Sequence, residues 1–285
     1  MEILTIVLAS LLSLGSGGGI VLDKIVEGKI RDRVISVEKQ AVRIDNQPNY
    51  RAVRGRLARV RIAGRGVRIE PGIRIAEIDL ETDPVAVELD RIKLSSIKRI
   101  RESLVTPATG AARLVFTEAD LNQALQSEQI QLRLQKALNR LIARKAGSTN
   151  ISYQISDIQI DLQSANRLQV DFKLSRPRPS RPLESNTNIE SGTSSSKNPS
   201  RELAMGLEVT LQVMNGKTVR LLDPQGTVNG RPMSPRLLNG FAAGISDRLN
   251  LNSLEADGIL TRILQLEINE DNLELASFVK LDKMP

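Results

Sequence analysis

Apolar residues at every second position dominate this chain, and that spacing admits few folds. Val60 and Ile62, Val67 and Ile69, Ile73 and Ile75, Ile78 and Leu80, Val85, Val87 and Leu89, then Ile92 and Leu94 alternate with polar or charged neighbours. Strand side chains point to opposite faces in turn, so each segment has one apolar face and one wet face. The expectation is a half-buried antiparallel sheet. Further strands are expected over 152–162 and 167–174, then with Met205, Leu207, Val209, Leu211 and Val213, with Val219 and Leu221, and finally over 259–268 and 273–281. Gly64, Gly66, Pro71-Gly72, Asp83-Pro84, Asn215-Gly216, Asn229-Gly230 and the run Asn269 to Asn272 supply turns or bulges between them.

Two stretches change to a helical period. Thr117 and Asp120 make a capping pair, and Leu121, Leu125, Leu132, Leu138, Leu141 and Ile142 recur up to Gly147, which predicts the longest helix of the chain. Ser234-Pro235 predicts a second helix, with Ser as cap and Pro at its first position, and with Leu237, Leu238, Phe241, Ala242, Ile245 and Leu249 inward. Residues 3–22 carry no charge and are long enough to cross a bilayer. Segment 1–22 therefore reads as a membrane anchor or signal, or as an apolar helix held in the protein's own groove. An amphipathic helix follows over 20–37. Residues 23–285 read as one α+β domain. Segment 175–201, rich in Pro, Ser and Asn, is expected to be a flexible loop within a hairpin, because alternation resumes directly after it.

The chain has no Cys and no His, which removes disulfides, thiolate nucleophiles, the commonest metal ligands and the side chain that titrates near neutrality. No cofactor, no metal and no catalytic residue is assigned. The glycines at 15 and 17–19 are not followed by Gly-Lys-Ser/Thr and complete no phosphate loop. Aromatic residues make up only 2%, so the interior is built of Leu, Ile and Val. Net charge is +7, and Arg51, Arg54, Arg56, Arg59, Arg61, Arg65, Arg68 and Arg74 face a single acid, Glu70, within 51–74. Such a stretch is either the solvated face of a sheet or a contact for anions. Glu77, Asp79, Glu81, Asp83, Glu88 and Asp90 allow an acid/base or metal site, but their alternation fits a solvent-facing strand better. The arginine stretch lacks interleaved aromatics for stacking bases, so no specific nucleic acid is expected.

Four segments together carry a resemblance: NQPNYRAVRGRLARVRIAGRGVRI (46–69), LVFTEADLNQAL (114–125), DPQGTVNGRPMSPRLLNGFAAGISDRLNL (223–251) and ILTRILQLEINEDNLELASFVKL (259–281). The chain from about residue 35 onward resembles the LmeA-like phospholipid-binding family, in its cyanobacterial form. That family is similar to tubular lipid-binding proteins, which implies a highly curved antiparallel sheet wrapped around a long helix, with acyl chains in the groove between them. The implied function is non-enzymatic binding or transfer of a phospholipid or related lipid, at a membrane and on its extracytoplasmic side. Groove candidates on this reading are Leu121, Leu125, Leu132, Leu138, Leu141, Phe172, Leu207, Phe241 and Ile245. Arg59, Arg61 and Arg65 are the candidates for meeting a headgroup. Two alternatives are a structural or assembly protein of the cell envelope and, through residues 51–74, a nucleic-acid binder. Lys24, Lys29, Arg31 and Arg33, which follow the apolar stretch, argue by the positive-inside rule for a cytoplasmic domain. No protein partner is implied.

Overall fold

The computed structural model describes residues 35–45, 54–70, 72–88, 97–146, 153–175 and 202–284. The expected anchor over 1–22, most of the amphipathic helix over 20–37, the positions Leu89, Ile92 and Leu94, and nearly all of loop 175–201 lie outside the described residues. The chain is α+β and mostly antiparallel strand, as the alternation requires.

The first sheet has six strands in the order β1 (Lys39–Asp45), β3 (Arg59–Glu70), β4 (Ile73–Thr82), β6 (Ala108–Thr117), β13 (Asn272–Leu281) and β12 (Ile259–Ile268). Two short strands, β2 (Arg56–Leu57) and β5 (Val85–Ala86), pair beside it, and helix α1 (Ile97–Ser103) leads into β6. The second sheet has five strands in the order β11 (Arg231–Pro232), β10 (Thr218–Val228), β9 (Glu202–Met214), β8 (Arg167–Ser175) and β7 (Gln154–Gln163). Ser175 lies opposite Glu202, so the stretch 176–201 joins two strands that pair residue for residue. Among the described residues neither of these two sheets closes on itself.

Within 59–70 the buried positions change parity: Val60 and Ile62 are buried, then Val67. Gly66 makes the switch. Its φ of +61° is a left-handed conformation that few other residues adopt within a strand, and it lies between the Arg65–Glu77 and Val67–Ile75 pairs. Strand β4 changes parity at the same level, from Ile75 to Ile78 and Leu80. The short segments expected on either side of Gly64 and Gly66 are therefore one kinked strand, and its buried side chains form one core with Ile75, Ile78 and Leu80.

The C-terminal hairpin returns to the first sheet, where β13 pairs with β6 over its whole length. Strand β6 has no alternation to announce it. Its sequence ATGAARLVFT begins with small residues, which carry little β preference on their own and are accepted between two partners. A second core, with Ile100, Leu104, Ala108, Ile259 and Leu281, closes this end.

The helix expected from Thr117 to Gly147 is two helices, α2 (Glu118–Leu125) and α3 (Glu128–Ala146). The capping pair is present in both directions between Thr117 and Asp120. Gln126 and Ser127 break the helix: Ser127 Oγ donates to the carbonyl of Ala124 at 2.7 Å, and the Gln126 amide donates to the carbonyl of Ile158 at 3.0 Å. Side chains that bond a carbonyl in this way compete with the helical ladder. The expected picture of one curved sheet around one long helix is corrected accordingly. Among the described residues there are two large sheets besides the short β2–β5 pair, and the helix pair lies along β7, with α2 also packed on β4.

The Asn215-Gly216 and Asn229-Gly230 pairs all have positive φ and close the β9–β10 and β10–β11 hairpins. Ser234 accepts from the amide of Leu237 and starts α4 (Pro235–Ser246), which is followed by the short helix α5 (Asn252–Ala256).

Candidate functional site

The second sheet presents an apolar face whose rows follow from its register. Ile160 lies opposite Val170 and Val170 opposite Leu207; Phe172 lies opposite Met205, and Leu174 opposite Leu203. Ile158, Leu162, Leu207 and Val209 are buried, whereas Ile160, Leu168, Val170, Phe172, Leu174, Leu203, Met205 and Leu211 are only half-buried. A two-layer core would shut these side chains away from water.

Helices border this sheet at both edges. On one side α2 and α3 satisfy the outer backbone groups of β7 through side chains. The amide of Leu162 donates to Glu118 Oε2 at 2.9 Å, and the amide of Ile160 donates to Asn122 Oδ1 at 2.7 Å. Asn122 Nδ2 returns a bond to the Ile160 carbonyl at 2.8 Å, and Gln126 reaches Ile158. Gln135 Oε1 accepts from the amide of Ile155 at 3.0 Å and its nitrogen donates to the carbonyl of Tyr153. These side chains stand in for a neighbouring strand and block an edge that would otherwise recruit another chain. On the other side, Ser246 Oγ accepts from the amide of Leu221 at 3.0 Å, and the Leu249 carbonyl accepts from the amide of Val219 at 3.3 Å. Helix α4 thus runs along β10. Leu238 reaches over Gly226 beside Leu207, so closely that a Cβ on that glycine would lie 2.8 Å from either side chain.

The expected groove residues divide among these parts. Phe172 and Leu207 lie on the sheet face, the first half-buried and the second buried. Leu121 and Leu125 are half-buried on α2; Leu138 is half-buried and Leu132 exposed on α3. Ile245 is half-buried on α4, and Phe241 is exposed. Leu141 falls on α3, but its side chain lies outside the described residues. Sequence reading missed Asn122, Gln126 and Gln135. The spacing of Glu118, Asn122 and Gln126, four residues apart on one helical stripe, was the available signal.

The headgroup candidates lie on the first sheet, on the wet face of β3. Arg59 is 3.3 Å from Glu81; Arg61 is 3.2 Å from Glu81 and 3.7 Å from Asp45; Arg65 is 3.0 Å from Asp79 and 3.5 Å from Glu77. Arg113 joins this face to β13, 2.9 Å from Glu77 and 2.6 Å from Glu274. The carboxylates of β4 are therefore cross-strand partners of the arginines. A concavity of about 420 Å³ on the same sheet is lined by Ala41, Ala63, Ala111 and Ala276 with Arg61 and Arg113. The Arg113 guanidinium holds the Glu274 carboxyl below its ordinary value of 4.5, and burial opposes it only in part.

A carboxyl depressed by folding contributes stability above its unfolded value and loses that contribution as pH falls through its folded value. Glu274→Gln is therefore expected to be less stable than the parent at neutral pH. The gap should narrow as pH falls from about 4.5 and vanish below the depressed folded value. Urea midpoints from pH 7 to pH 2 check this, and a gap undiminished at pH 2 refutes it.

Among the described residues no helix is long and apolar enough to cross a membrane. No curated protein and no solved structure matches the chain. A family model does, over residues 15–278, and it includes the first sheet up to Phe278 in β13, the whole second sheet, the helices bordering it and the half-buried apolar face between them. On that match, which spans nearly the whole sequence, the chain belongs to the LmeA-like phospholipid-binding family.

Proposed function

We propose that this protein binds the acyl chains of a phospholipid or related lipid along the apolar face of its second sheet, and delivers or holds that lipid at a membrane without catalysis. One observation carries the reading: the face through Val170, Phe172, Leu174, Leu203 and Met205 is continuous and apolar yet only half-buried, with α2 and α3 at one edge and α4 at the other. Hydrocarbon laid in such a trough gains roughly 0.8 kcal/mol for each methylene group removed from water. Helices α2 and α3 supply one wall through Leu121, Leu125, Leu132 and Leu138; α4 supplies the other through Ile245. Membership of a phospholipid-binding family supports the choice of ligand.

Residues 23–285 act on this reading as one unit, held at the extracytoplasmic side of the membrane by segment 1–22. A headgroup role for Arg59, Arg61 and Arg65 requires each to exchange a carboxylate partner for phosphate. Their pairing with Asp45, Glu77, Asp79 and Glu81 also leaves that face with little net charge to offer a nucleic acid.

The test is native mass spectrometry of the full chain, taken from its own cells in mild detergent. Lipid is expected to copurify, and Val170→Trp should lower its occupancy several-fold with little change in the thermal midpoint. In a close-packed core the same ring would cost about 1–3 kcal/mol through overpacking. A fallen midpoint with unchanged occupancy, or a parent chain that carries no lipid, overturns the reading.

A further inference from the structure

Helix α4 has a wider apolar arc than the sheet covers. Leu238 and Ala242, one turn apart, are 5% and 4% exposed against β10. Leu237 and Phe241, also one turn apart, stay 49% and 37% exposed, and Leu249 just beyond the helix is 41% exposed. A Cβ added at Gly244, the next position along the Leu237–Phe241 stripe, would meet nothing within 4 Å, so the stripe ends in open space. At 100° per residue the exposed pair lies about 60–140° around the helix from the buried pair. The face is therefore a distinct surface and not the frayed margin of the core.

Its charged surroundings differ from those of the arginines on the first sheet. Arg231, Arg236 and Arg248 are exposed, and none of them forms an ion pair among the described residues. Asp247 is the one acid between 231 and 249. An exposed apolar stripe of Leu and Phe flanked in sequence by exposed arginines has the chemistry of a helix that lies in a bilayer interface, its apolar side among the upper acyl carbons and its cations among anionic headgroups. A second apolar protein surface would match the stripe but leave the three arginines without counter-charges.

We propose that α4 docks the protein on an anionic bilayer through Leu237, Phe241 and Leu249, with Arg231, Arg236 and Arg248 at the level of the headgroups. The proposal rests on the acyl-binding reading and adds its point of exchange. The helix that meets the bilayer also forms one wall of the trough, so a lipid leaving the membrane passes from the Phe241 side to the sheet face without crossing water.

The chain has no Trp, so Phe241→Trp places a single indole in the full-length protein. Leu264→Trp, at a position 64% exposed in β12 of the first sheet, is the control. Both variants are mixed with vesicles of phosphatidylglycerol and phosphatidylcholine, with brominated acyl chains as quenchers, and with vesicles of phosphatidylcholine alone. The Phe241→Trp indole is expected to shift to the blue and lose at least half its emission on the anionic vesicles, while the Leu264→Trp indole does neither. Equal quenching at the two positions on protein that sediments with the vesicles overturns the docking face. So does a blue shift of the Phe241→Trp indole that needs only a raised protein concentration, which would mean that a second copy covers the stripe.

Leu237→Asp separates docking from acyl binding. It is expected to slow lipid transfer between anionic vesicles at least tenfold while lipid occupancy by native mass spectrometry stays at the parent level. If occupancy falls with transfer, the stripe belongs to the trough and the docking proposal fails. A parent chain that carries no lipid while its Phe241→Trp indole is still quenched overturns the acyl reading and upholds the docking face.

Discussion

Asp120→Ala is expected to destabilise the protein by about 3 kcal/mol, the largest effect of any single polar substitution among the described residues. Among the described residues Asp120 is the one buried charged side chain, 5% exposed. Both its oxygens accept from Arg74 Nη1, at 2.9 and 3.0 Å, and its Oδ2 also accepts from the amide of Thr117 at 3.4 Å. Removing the carboxylate undoes the capping box of α2 and leaves a guanidinium that is only 24% exposed with Glu38 as its remaining partner. Loss of a cap costs about 1 kcal/mol, and an ion stripped of its buried partner accounts for the rest. Arg74 belongs to β4 and Asp120 to α2, so the pair fixes where the helix leaves the first sheet. Asp120→Asn keeps an acceptor for the cap and should recover about a third of the loss. Urea unfolding at neutral pH measures both variants, and a loss under 1 kcal/mol for Asp120→Ala would show that Glu38 alone satisfies Arg74.

Asn122→Leu should cost about 2 kcal/mol, although it replaces a polar residue in a helix with a better helix former. The Asn122 side chain donates to and accepts from the backbone of Ile160 in the way an adjacent strand would. Leucine fills the space and leaves one N–H and one C=O of β7 without partners, in a part-buried position where water replaces them poorly. The readout that separates this from a general packing defect is hydrogen exchange. The amide of Ile160 should lose at least tenfold in protection, whereas the amides of β9 in the middle of the sheet should keep theirs. Uniform loss across the sheet would mean that Asn122 contributes only to global stability. Because an unblocked β7 is an exposed strand edge, the variant should also self-associate more readily than the parent.

Much of the local structure was legible because short-range chemistry sets it. The alternation, the Asn-Gly turns, the cap of α2 and the Ser-Pro start of α4 are each decided within a few residues, and each is present. The parity change between Ile62 and Val67 was also in the sequence, and it required a left-handed residue in between; Gly66 is that residue. Strand β6 was not legible, because Ala108, Gly110, Ala111 and Ala112 give no period and become strand only between β4 and β13. The break at Gln126 and Ser127 was hidden for the opposite reason. Apolar residues recur on both sides of it, and the carbonyl of Ile158 that draws Gln126 away is 32 residues distant in sequence.

The role of the arginine stretch shows where composition stops being informative. Counted along the chain, Arg59, Arg61 and Arg65 are a block of unopposed positive charge. Across the sheet they face Glu77, Asp79 and Glu81, because β4 pairs antiparallel with β3 in a register that sets Arg61 against Glu81 and Arg65 against Glu77. The arginines near α4 that form no ion pair among the described residues are a less conspicuous set in sequence, and only the fold shows that no described carboxylate reaches them.

By itself the sequence determined the α+β class, the strand faces, the principal turns, the helix starts and, through the resemblance carried by four segments, membership of the LmeA-like phospholipid-binding family. These are properties of residues a few positions apart, where sterics, local hydrogen bonds and the period of burial act alone. Only the tertiary structure decided which strands pair, that the sheet is two sheets, which arginines are neutralised, and how the apolar residues of α4 divide. Leu238 and Leu237 are adjacent in sequence and alike in chemistry, yet one is shut against Gly226 and the other stands in solvent. Helix α4 has an apolar arc wider than the strand it packs on, so contact area decides which part of that arc is buried, and contact area exists only once the chain has folded.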